Sequence, residues 1–216
     1  AELLAQGDGE AALLAAKRVR EGSAASALRD ERLGLALVLA IGDLAGAFDL
    51  DKVMRELSTF ADRALDRALN TAMNSRVPDA EPSGMIGLAL GKHGAGELNY
   101  SSDIDPILLY DPEKLPRRER DEPGEAAQRY AREVVRLLSD VTSEGYVFRV
   151  DLRLRPASEV SPLAIPLNAA ITHYESSALA WERAAFIRAR ACAGDIAAGE
   201  EFLDHIRPFV WRRSLD

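Results

Sequence analysis

Residues 85–110, with the sequence MIGLALGKHGAGELNYSSDIDPILLY, decide the fold of this chain. An apolar run at 85–90 leads into a glycine-rich segment at 91–96, and a second apolar run ends at residue 110. Short apolar runs between glycine, proline and aspartate residues are typical of buried β-strands. The stretch therefore predicts two strands, 85–90 and 103–110, which pair as in a hairpin on either side of a glycine-rich turn.

Two aspartates at the start of the second predicted strand are the first candidates for chemistry. Side chains two residues apart leave the same face of a strand, so Asp103 and Asp105 share a face while Ile104 points away. Converging carboxylates repel each other unless a cation lies between them, and Mg²⁺ accepts carboxylate and phosphate oxygens together. The pair is therefore a candidate metal site, although an Asp-x-Asp pair can also be an ordinary solvated strand face.

A third carboxylate lies in residues 146–155, where the side chains alternate between two faces. This alternation predicts a strand that places Asp151 on one polar face together with Arg149, Arg153 and Arg155. If the strand neighbours the Asp103 pair, three carboxylates and several guanidinium groups line one surface. Such a surface fits phosphoryl or nucleotidyl transfer, in which metal ions bind the attacking and leaving oxygens and cations offset the phosphate charge.

The glycine-rich segment offers a second way to hold a phosphate. Glycine lets backbone amides approach a phosphate closely, and Lys92 supplies a cation beside them. The segment is not a Walker A loop, because Ile86 stands where the first glycine is required and His93 follows the lysine. Ser101 and Ser102 can donate hydroxyl groups to a phosphate or serve as turn and cap residues, and a purely structural turn is the alternative for the glycine-rich segment.

Helical patterns flank this region. Proline is absent from residues 1–74, where apolar residues recur at helical spacing, and two prolines and a glycine within 78–84 mark a boundary. Further helices are predicted at 124–141, 168–192 and 196–206. We therefore divide this α+β chain into a helical segment at 1–76, a core with a small mixed sheet at 77–195, and the start of a second helical segment at 196–216.

The charge, the apolar runs and the cysteine content of the chain limit the kinds of partner and compartment that we expect. The 216 residues carry a formal net charge of −8, so we expect no nucleic-acid partner, and phosphate chemistry must rest on a local cationic pocket. No apolar run approaches the ~20 residues of a membrane span, so no membrane partner is expected. The single cysteine, Cys192, excludes a disulfide framework and favours the cytoplasm. The start at Ala1 rather than Met suggests a processed or excised piece.

The three histidines are poor candidates for metal ligands. His93, His173 and His205 lie far apart in the sequence, and none has a second ligand at helical spacing. We expect them to be structural or surface residues.

Three blocks of sequence carry a resemblance to a known family. They are GKHGAGELNYSSDID at 91–105, FRVDLRLRP at 148–156, and WER at 181–183 followed by IRAR at 187–190. On these blocks the chain resembles the bacterial glutamine synthetase adenylyltransferase/adenylyl-removing enzymes. That resemblance implies a nucleotidyltransferase core of the DNA polymerase β superfamily, preceded and followed by helices.

The family has two such domains with opposite activities. One attaches AMP to a tyrosine of glutamine synthetase, and the other removes it by phosphorolysis with orthophosphate, releasing ADP. The sequences FRVDLR at 148–153 and FVWRR at 209–213 resemble the N-terminal, adenylyl-removing half of the family. Two alternatives stay open: the ATP-dependent adenylyltransferase, and a regulatory binding module whose metal site is vestigial.

The resemblance also implies roles for the candidate residues. The implied catalytic residues and ligands of Mg²⁺, or of Mn²⁺, are Asp103, Asp105 and Asp151. The implied phosphate- and nucleotide-binding residues are Lys92, Ser101, Ser102, Arg153 and Arg155. The implied partners are adenylylated glutamine synthetase, orthophosphate, ADP or ATP, and a PII-type nitrogen signalling protein.

Two positions depart from the family pattern. Ala95 stands where the family commonly has glycine, and Pro106 stands where leucine usually follows the second aspartate. Because proline cannot donate to a ladder, we expect an edge or a bulge at Pro106.

Overall fold

Helices precede the sheet in the described part of the chain. The computed structural model describes Leu3, residues 6–17 and residues 22–211. The first helices are α1 (Gly9–Ala16), α2 (Ala24–Leu44) and α3 (Leu50–Asn74). The side chains of Asp8, Ser23 and Asp49 each accept a hydrogen bond from the backbone amide three residues on, which caps the three N-termini. The helical prediction for this segment is confirmed over these three ranges.

Among the described residues, four strands form one mixed sheet. They are β1 (Met85–Leu90), β2 (Asp105–Tyr110), β3 (Ala164–Pro166) and β4 (Arg190–Gly194), in the order β3-β2-β1-β4. β1 pairs antiparallel with both β2 and β4, and β2 pairs parallel with β3. The predicted α+β class with a small mixed sheet, and the predicted pairing of the first two strands, are therefore confirmed.

The first of the remaining described helices lies between β1 and β2, and the others follow β2. They are α4 (Gly91–Ala95), α5 (Pro123–Ser139), α6 (Leu167–Ser176), α7 (Ala180–Ala185), which runs into a 3₁₀ turn (Phe186–Arg188), and α8 (Ile196–Val210). The helices predicted at 124–141 and 196–206 are confirmed, although α5 ends at Ser139 and Val141 is 80% exposed.

The sheet is covered by helices on both faces. One core packs Met85 and Ala89 of β1 against α3 and α5, and the other packs Ile86 and Leu88 against α6 and α8. β1 is therefore buried along its whole length, which explains why it is a continuous apolar run rather than an alternating one.

The prediction of a strand at 146–155 is wrong. Only Val150 pairs, in an isolated parallel bridge to Ile104. Val147 and Phe148 are adjacent yet both buried, and both amides donate to the carbonyl of Leu138 at the end of α5, so these residues do not follow the two-face alternation.

The segments predicted as a turn, a linker and a helix also differ. Residues 91–95 form helix α4 rather than a turn, and residues 164–166 of the predicted linker form β3. The helix predicted at 168–192 is instead two helices, α6 and α7, and its last residues belong to strand β4. The alanines of β4 favour a helix locally, but Ala193 lies close to Gly87 of β1, where only small side chains fit. The predicted boundaries at 76/77 and 195/196 stay predictions.

The expectation of an edge at Pro106 is confirmed. β1 pairs with Pro106 on one side, whereas β3 reaches β2 only at residues 108–110. No helix within the described ranges is long and apolar enough to cross a bilayer.

The last residue of β4, Gly194, allows a test of this fold. Gly194 has φ +70°, and a Cβ there would overlap the carbonyl oxygen of Met85. We expect Gly194→Ala to lower the free energy of unfolding by about 3 kcal/mol or more, since backbone strain and overlap add. The measurement is urea unfolding followed by circular dichroism.

The matched control is Gly46→Ala. Gly46 has φ +71°, and a Cβ there meets no described atom within 4 Å. It isolates the cost of the left-handed conformation, about 1 kcal/mol. Equal losses in the two variants would contradict the packing of β4 against β1.

Candidate functional site

Three carboxylates meet at one edge of the sheet. Asp105 begins β2, and Asp103 lies two residues before it. Between them, the buried Ile104 donates its amide to the carbonyl of Arg149 at 3.0 Å and accepts from the amide of Asp151 at 2.9 Å. This bridge places Asp151 beside the first pair, and all three aspartates line one open cleft of about 640 Å³.

Asp105 has the most perturbed carboxyl group of the three. Burial, followed by the charges of Asp151 and Asp103, raises the pKa of Asp105 to about 6, while Arg153 and Lys92 act in the opposite direction. Half-buried carboxylates that repel one another in this way are stabilised by a shared cation. The electrostatics of Asp105 therefore favour cation binding in the cleft.

Two arginines pair with the other two aspartates. Arg149 donates from Nε to Oδ1 of Asp103 and from Nη2 to the carbonyl of Ser101 at 2.5 Å. Arg153 donates from Nε to both oxygens of Asp151, at 3.0 and 2.8 Å, and from Nη2 to Oδ2 at 2.5 Å. The hydrogen bond from Arg153 lowers the pKa of Asp151, so this carboxylate stays ionised.

Arg149 was not among the site residues selected from the sequence. It stood on the polar face of the misassigned strand, and its Nη1 also donates to the hydroxyl of Tyr146 at 3.1 Å. The signal was present in the sequence, since Arg149 lies two residues before Asp151.

The loop before β2 is closed by Asn99. Its Oδ1 accepts from the amide of Ser101 at 3.1 Å and from the hydroxyl of Ser102 at 2.9 Å, and its own amide donates to Ser102 Oγ at 3.0 Å. Both serines line the cleft, and Ser102 serves the turn in addition. Their contact with a phosphate stays a prediction.

Lys92 and Gly91 of α4 also line the cleft. Gly91 has φ +57°, and a Cβ there would lie 2.8 Å from Oδ2 of Asp105. A glycine is therefore needed because the backbone of α4 lies directly against the carboxylate. Sequence reasoning selected Lys92 but not Gly91, although the glycine-rich pattern indicated a close backbone approach.

Arg155 is placed differently from the other candidates. Its guanidinium donates to the carbonyl oxygens of Leu152, Ser158, Ser161 and Pro162, at 2.7–3.3 Å. These contacts close the loop after Asp151, and Arg155 is not among the residues that line the cleft. Its predicted phosphate contact stays a prediction.

The donor set fits a hard divalent cation. Carboxylate oxygens are the ligands that Mg²⁺ and Mn²⁺ accept, and the repulsion at Asp105 is what such an ion would offset. Asp103, Asp105 and Asp151 are the residues that would hold it. Lys92, Arg149 and Arg153 supply cations at the same cleft, which suits a phosphate ligand.

Comparison with known proteins gives a consistent result. A family model described as glutamate-ammonia ligase adenylyltransferase matches residues 5–205. The chain is 46% identical over 200 residues to a protein of Caulobacter vibrioides, 43% over 201 to one of Rhizobium meliloti, and 44% over 207 to one of Xanthobacter autotrophicus. Each is named bifunctional glutamine synthetase adenylyltransferase/adenylyl-removing enzyme.

The match covers most of this chain but little of the relatives. It spans 88%, 88% and 91% of the chain, against 20%, 20% and 21% of those three proteins. The chain therefore spans about a fifth of the length of the curated relatives it matches.

If the cleft binds a divalent cation, that cation should stabilise the folded protein. At about 100 times its dissociation constant, a ligand that binds only the folded state stabilises it by about 2.7 kcal/mol. We expect Mg²⁺ or Mn²⁺ to raise the melting temperature by several degrees in differential scanning fluorimetry, and Asp105→Asn and Asp151→Asn to lose most of that shift.

Asp204→Asn is the matched control. Asp204 is an exposed aspartate on α8 that pairs with Arg207, so the variant makes the same charge change outside the cleft. Its metal-induced shift should equal that of the unmodified protein. A shift that survives in both cleft variants would show that the ion binds elsewhere.

Proposed function

The chain belongs to the glutamate-ammonia ligase adenylyltransferase family, and we propose that it carries the adenylyl-removing centre of such an enzyme. The proposed reaction is phosphorolysis of a tyrosyl-AMP group on glutamine synthetase. The observation that carries the proposal is the cleft in which three carboxylates face Lys92, Arg149 and Arg153. The resemblance of residues 148–153 to the N-terminal half of the family supports removal rather than addition of AMP.

The reaction brings two anions into one site. An oxygen of orthophosphate forms a bond to the phosphorus of the AMP group, and the bond from that phosphorus to the tyrosine oxygen breaks. ADP is released, and the tyrosine oxygen takes a proton. The cleft must therefore offset the charge of the incoming phosphate and of the phosphodiester at the same time.

Asp103, Asp105 and Asp151 would hold the divalent cation. When bound, the ion offsets charge on the attacking and leaving oxygens. Arg149 keeps Asp103 in place through its hydrogen bonds to that carboxylate and to the carbonyl of Ser101.

Arg153 is suited to receive the orthophosphate. Its side chain is 86% exposed, and it pairs with Asp151 in the cleft. A guanidinium that can share its donors between a carboxylate and a phosphate brings the nucleophile next to the metal-binding residues. Lys92, which lines the same cleft, is then the cation proposed for the phosphate of the AMP group.

The cleft suits a tyrosine presented by another protein. It is open and lies at the edge of the sheet, so a side chain on a folded surface can reach it. We therefore propose adenylylated glutamine synthetase as the protein substrate in the cytoplasm, with Mg²⁺ as the preferred cation. A PII-type protein is the proposed regulator.

The decisive experiment measures ADP. The intact protein is incubated with adenylylated glutamine synthetase, Mg²⁺ and orthophosphate, and ADP is quantified by chromatography. We expect Asp103→Asn to lower its formation at least about 100-fold, since even residues behind metal ligands are worth 10- to 100-fold. Asp204→Asn is again the control.

The same preparation separates the alternatives. AMP incorporation from ATP into unmodified glutamine synthetase, without ADP formation from the adenylylated form, would replace removal by addition. Binding of glutamine synthetase with neither reaction would indicate a regulatory module.

Arg153 gives a more specific prediction. A hydrogen bond to a charged group is worth about 1.5–3 kcal/mol, which corresponds to roughly 10- to 100-fold in binding. We expect Arg153→Ala to raise the KM for orthophosphate by about that factor. Arg136→Ala removes an exposed arginine of α5 that pairs with Glu133, and should leave this KM unchanged. An unaltered KM in Arg153→Ala would assign the phosphate to another cation.

A further inference from the structure

A partly buried cluster of one histidine, one aspartate and one arginine lies beside the cleft. His93 of α4 is fully buried, and its Nε2 lies 2.8 Å from Oδ1 of Asp62 on α3. Arg190 of β4 pairs with both oxygens of the same carboxylate, at 2.9 and 2.8 Å. Three elements distant in sequence are therefore joined by one carboxylate.

The same cluster holds the backbone of α4. Arg190 Nη2 donates to the carbonyl of His93 at 3.2 Å, and its Nε donates to the carbonyl of Gly94 at 3.3 Å. A Cβ on Gly94 would lie 2.6 Å from the carbonyl oxygen of Ala89 and would overlap that of Arg188. α4 is thus fixed by hydrogen bonds and by close backbone packing.

The position of α4 affects the cleft because its residues Gly91 and Lys92 line it. A helix of five residues has little stability of its own, so tertiary contacts decide where it lies. Lys92 immediately precedes His93, and the backbone of Gly91 lies against Oδ2 of Asp105. A shift of α4 would therefore change the distance between Lys92 and the carboxylates.

The cluster is better explained as a hydrogen-bonded clamp than as a metal site. Cys192 offers a third ligand atom within 4.8 Å of those of Asp62 and His93. However, Arg190 already engages both oxygens of Asp62, and burial raises the pKa of the Cys192 thiol, which opposes the thiolate that a metal requires.

The proton on His93 can be assigned from its partners. An ionised carboxylate only accepts hydrogen bonds, so Nε2 carries the proton that is donated to Asp62. Nδ1 is buried and has no hydrogen-bond partner among the described residues. His93 therefore contributes a single donor to the cluster.

We propose that His93 is a positioning residue for the cleft. Through Asp62 and Arg190 it fixes α4, so that Gly91 and Lys92 stand at a set distance from Asp105. The activity consequence rests on the proposed function, whereas the effect on metal binding does not.

The test compares His93→Leu with His93→Gln. Leucine removes the donor, and glutamine retains an N–H donor at the end of its side chain. In the intact protein we expect His93→Leu to raise the dissociation constant for Mn²⁺, measured by titration calorimetry, about 10-fold. Turnover to ADP should fall about 10- to 100-fold, since small misplacements of reacting groups have effects of this size. His93→Gln should restore both values to within about threefold.

His205→Leu is the matched control. His205 is an exposed residue of α8 that contacts Glu175, so the variant makes the same chemical change away from the cleft. It should leave metal binding and turnover unchanged.

Two results would overturn the proposal. The first is a cooperatively folded His93→Leu variant with unchanged Mn²⁺ binding and turnover. The second is a Zn²⁺-induced rise in melting temperature that Cys192→Ser abolishes, which would assign the cluster to a metal. If His93→Leu does not fold, Asp62→Asn decides by the same Mn²⁺ measurement, and an unchanged dissociation constant there refutes the clamp. If the unmodified protein forms no ADP, the proposed function fails, while the Mn²⁺ values still decide the role of His93.

Discussion

The bridge between Ile104 and Val150 is the constraint on which the site depends. Asp105 belongs to β2, but Asp151 lies in a segment with no strand of its own, and two hydrogen bonds to Ile104 bring it to the cleft. Ile104 is fully buried in the core between α3, α5 and the sheet, so its position is set by packing. An apolar residue between two aspartates thereby anchors the polar side chains on either side of it.

The three carboxylates of the cleft are not equivalent. Arg153 keeps Asp151 ionised and Arg149 pairs with Asp103, whereas burial and its two acidic neighbours raise the pKa of Asp105. Asp105 is therefore where a divalent cation would gain most from the electrostatics. In the proposed reaction, a cation held by the carboxylates would let the two exposed guanidinium groups turn part of their donors towards a phosphate, so one set of residues would serve both ligands.

Local pattern predicted part of this structure and failed where distant contacts decide. The apolar runs gave β1 and β2, and the two-residue spacing placed Asp103 and Asp105 together. The alternation at 146–155 predicted a strand, but no partner strand lies beside these residues. Strand β4 was predicted as helix because its alanines are good helix formers. The role of His93 depends on residues 31 and 97 positions away, which no local pattern connects.

Helix α3 of the N-terminal helical segment positions elements that lie next to the cleft. Ser58, Asp62 and Asp66 recur every four residues and therefore lie on one helix face. Ser58 accepts from the amide of Leu98 at 3.2 Å, Asp62 holds His93 and Arg190, and Asp66 accepts from the amide of Gly194 at 2.9 Å. Each contact reaches α4, the segment that follows it, or β4. Because the other side chains on this side of α3 are apolar and packed on the sheet, these polar contacts fix its register. Helix α3 therefore sets the position of α4 and of the segment after it, which contribute Gly91, Lys92 and Asn99 to the cleft.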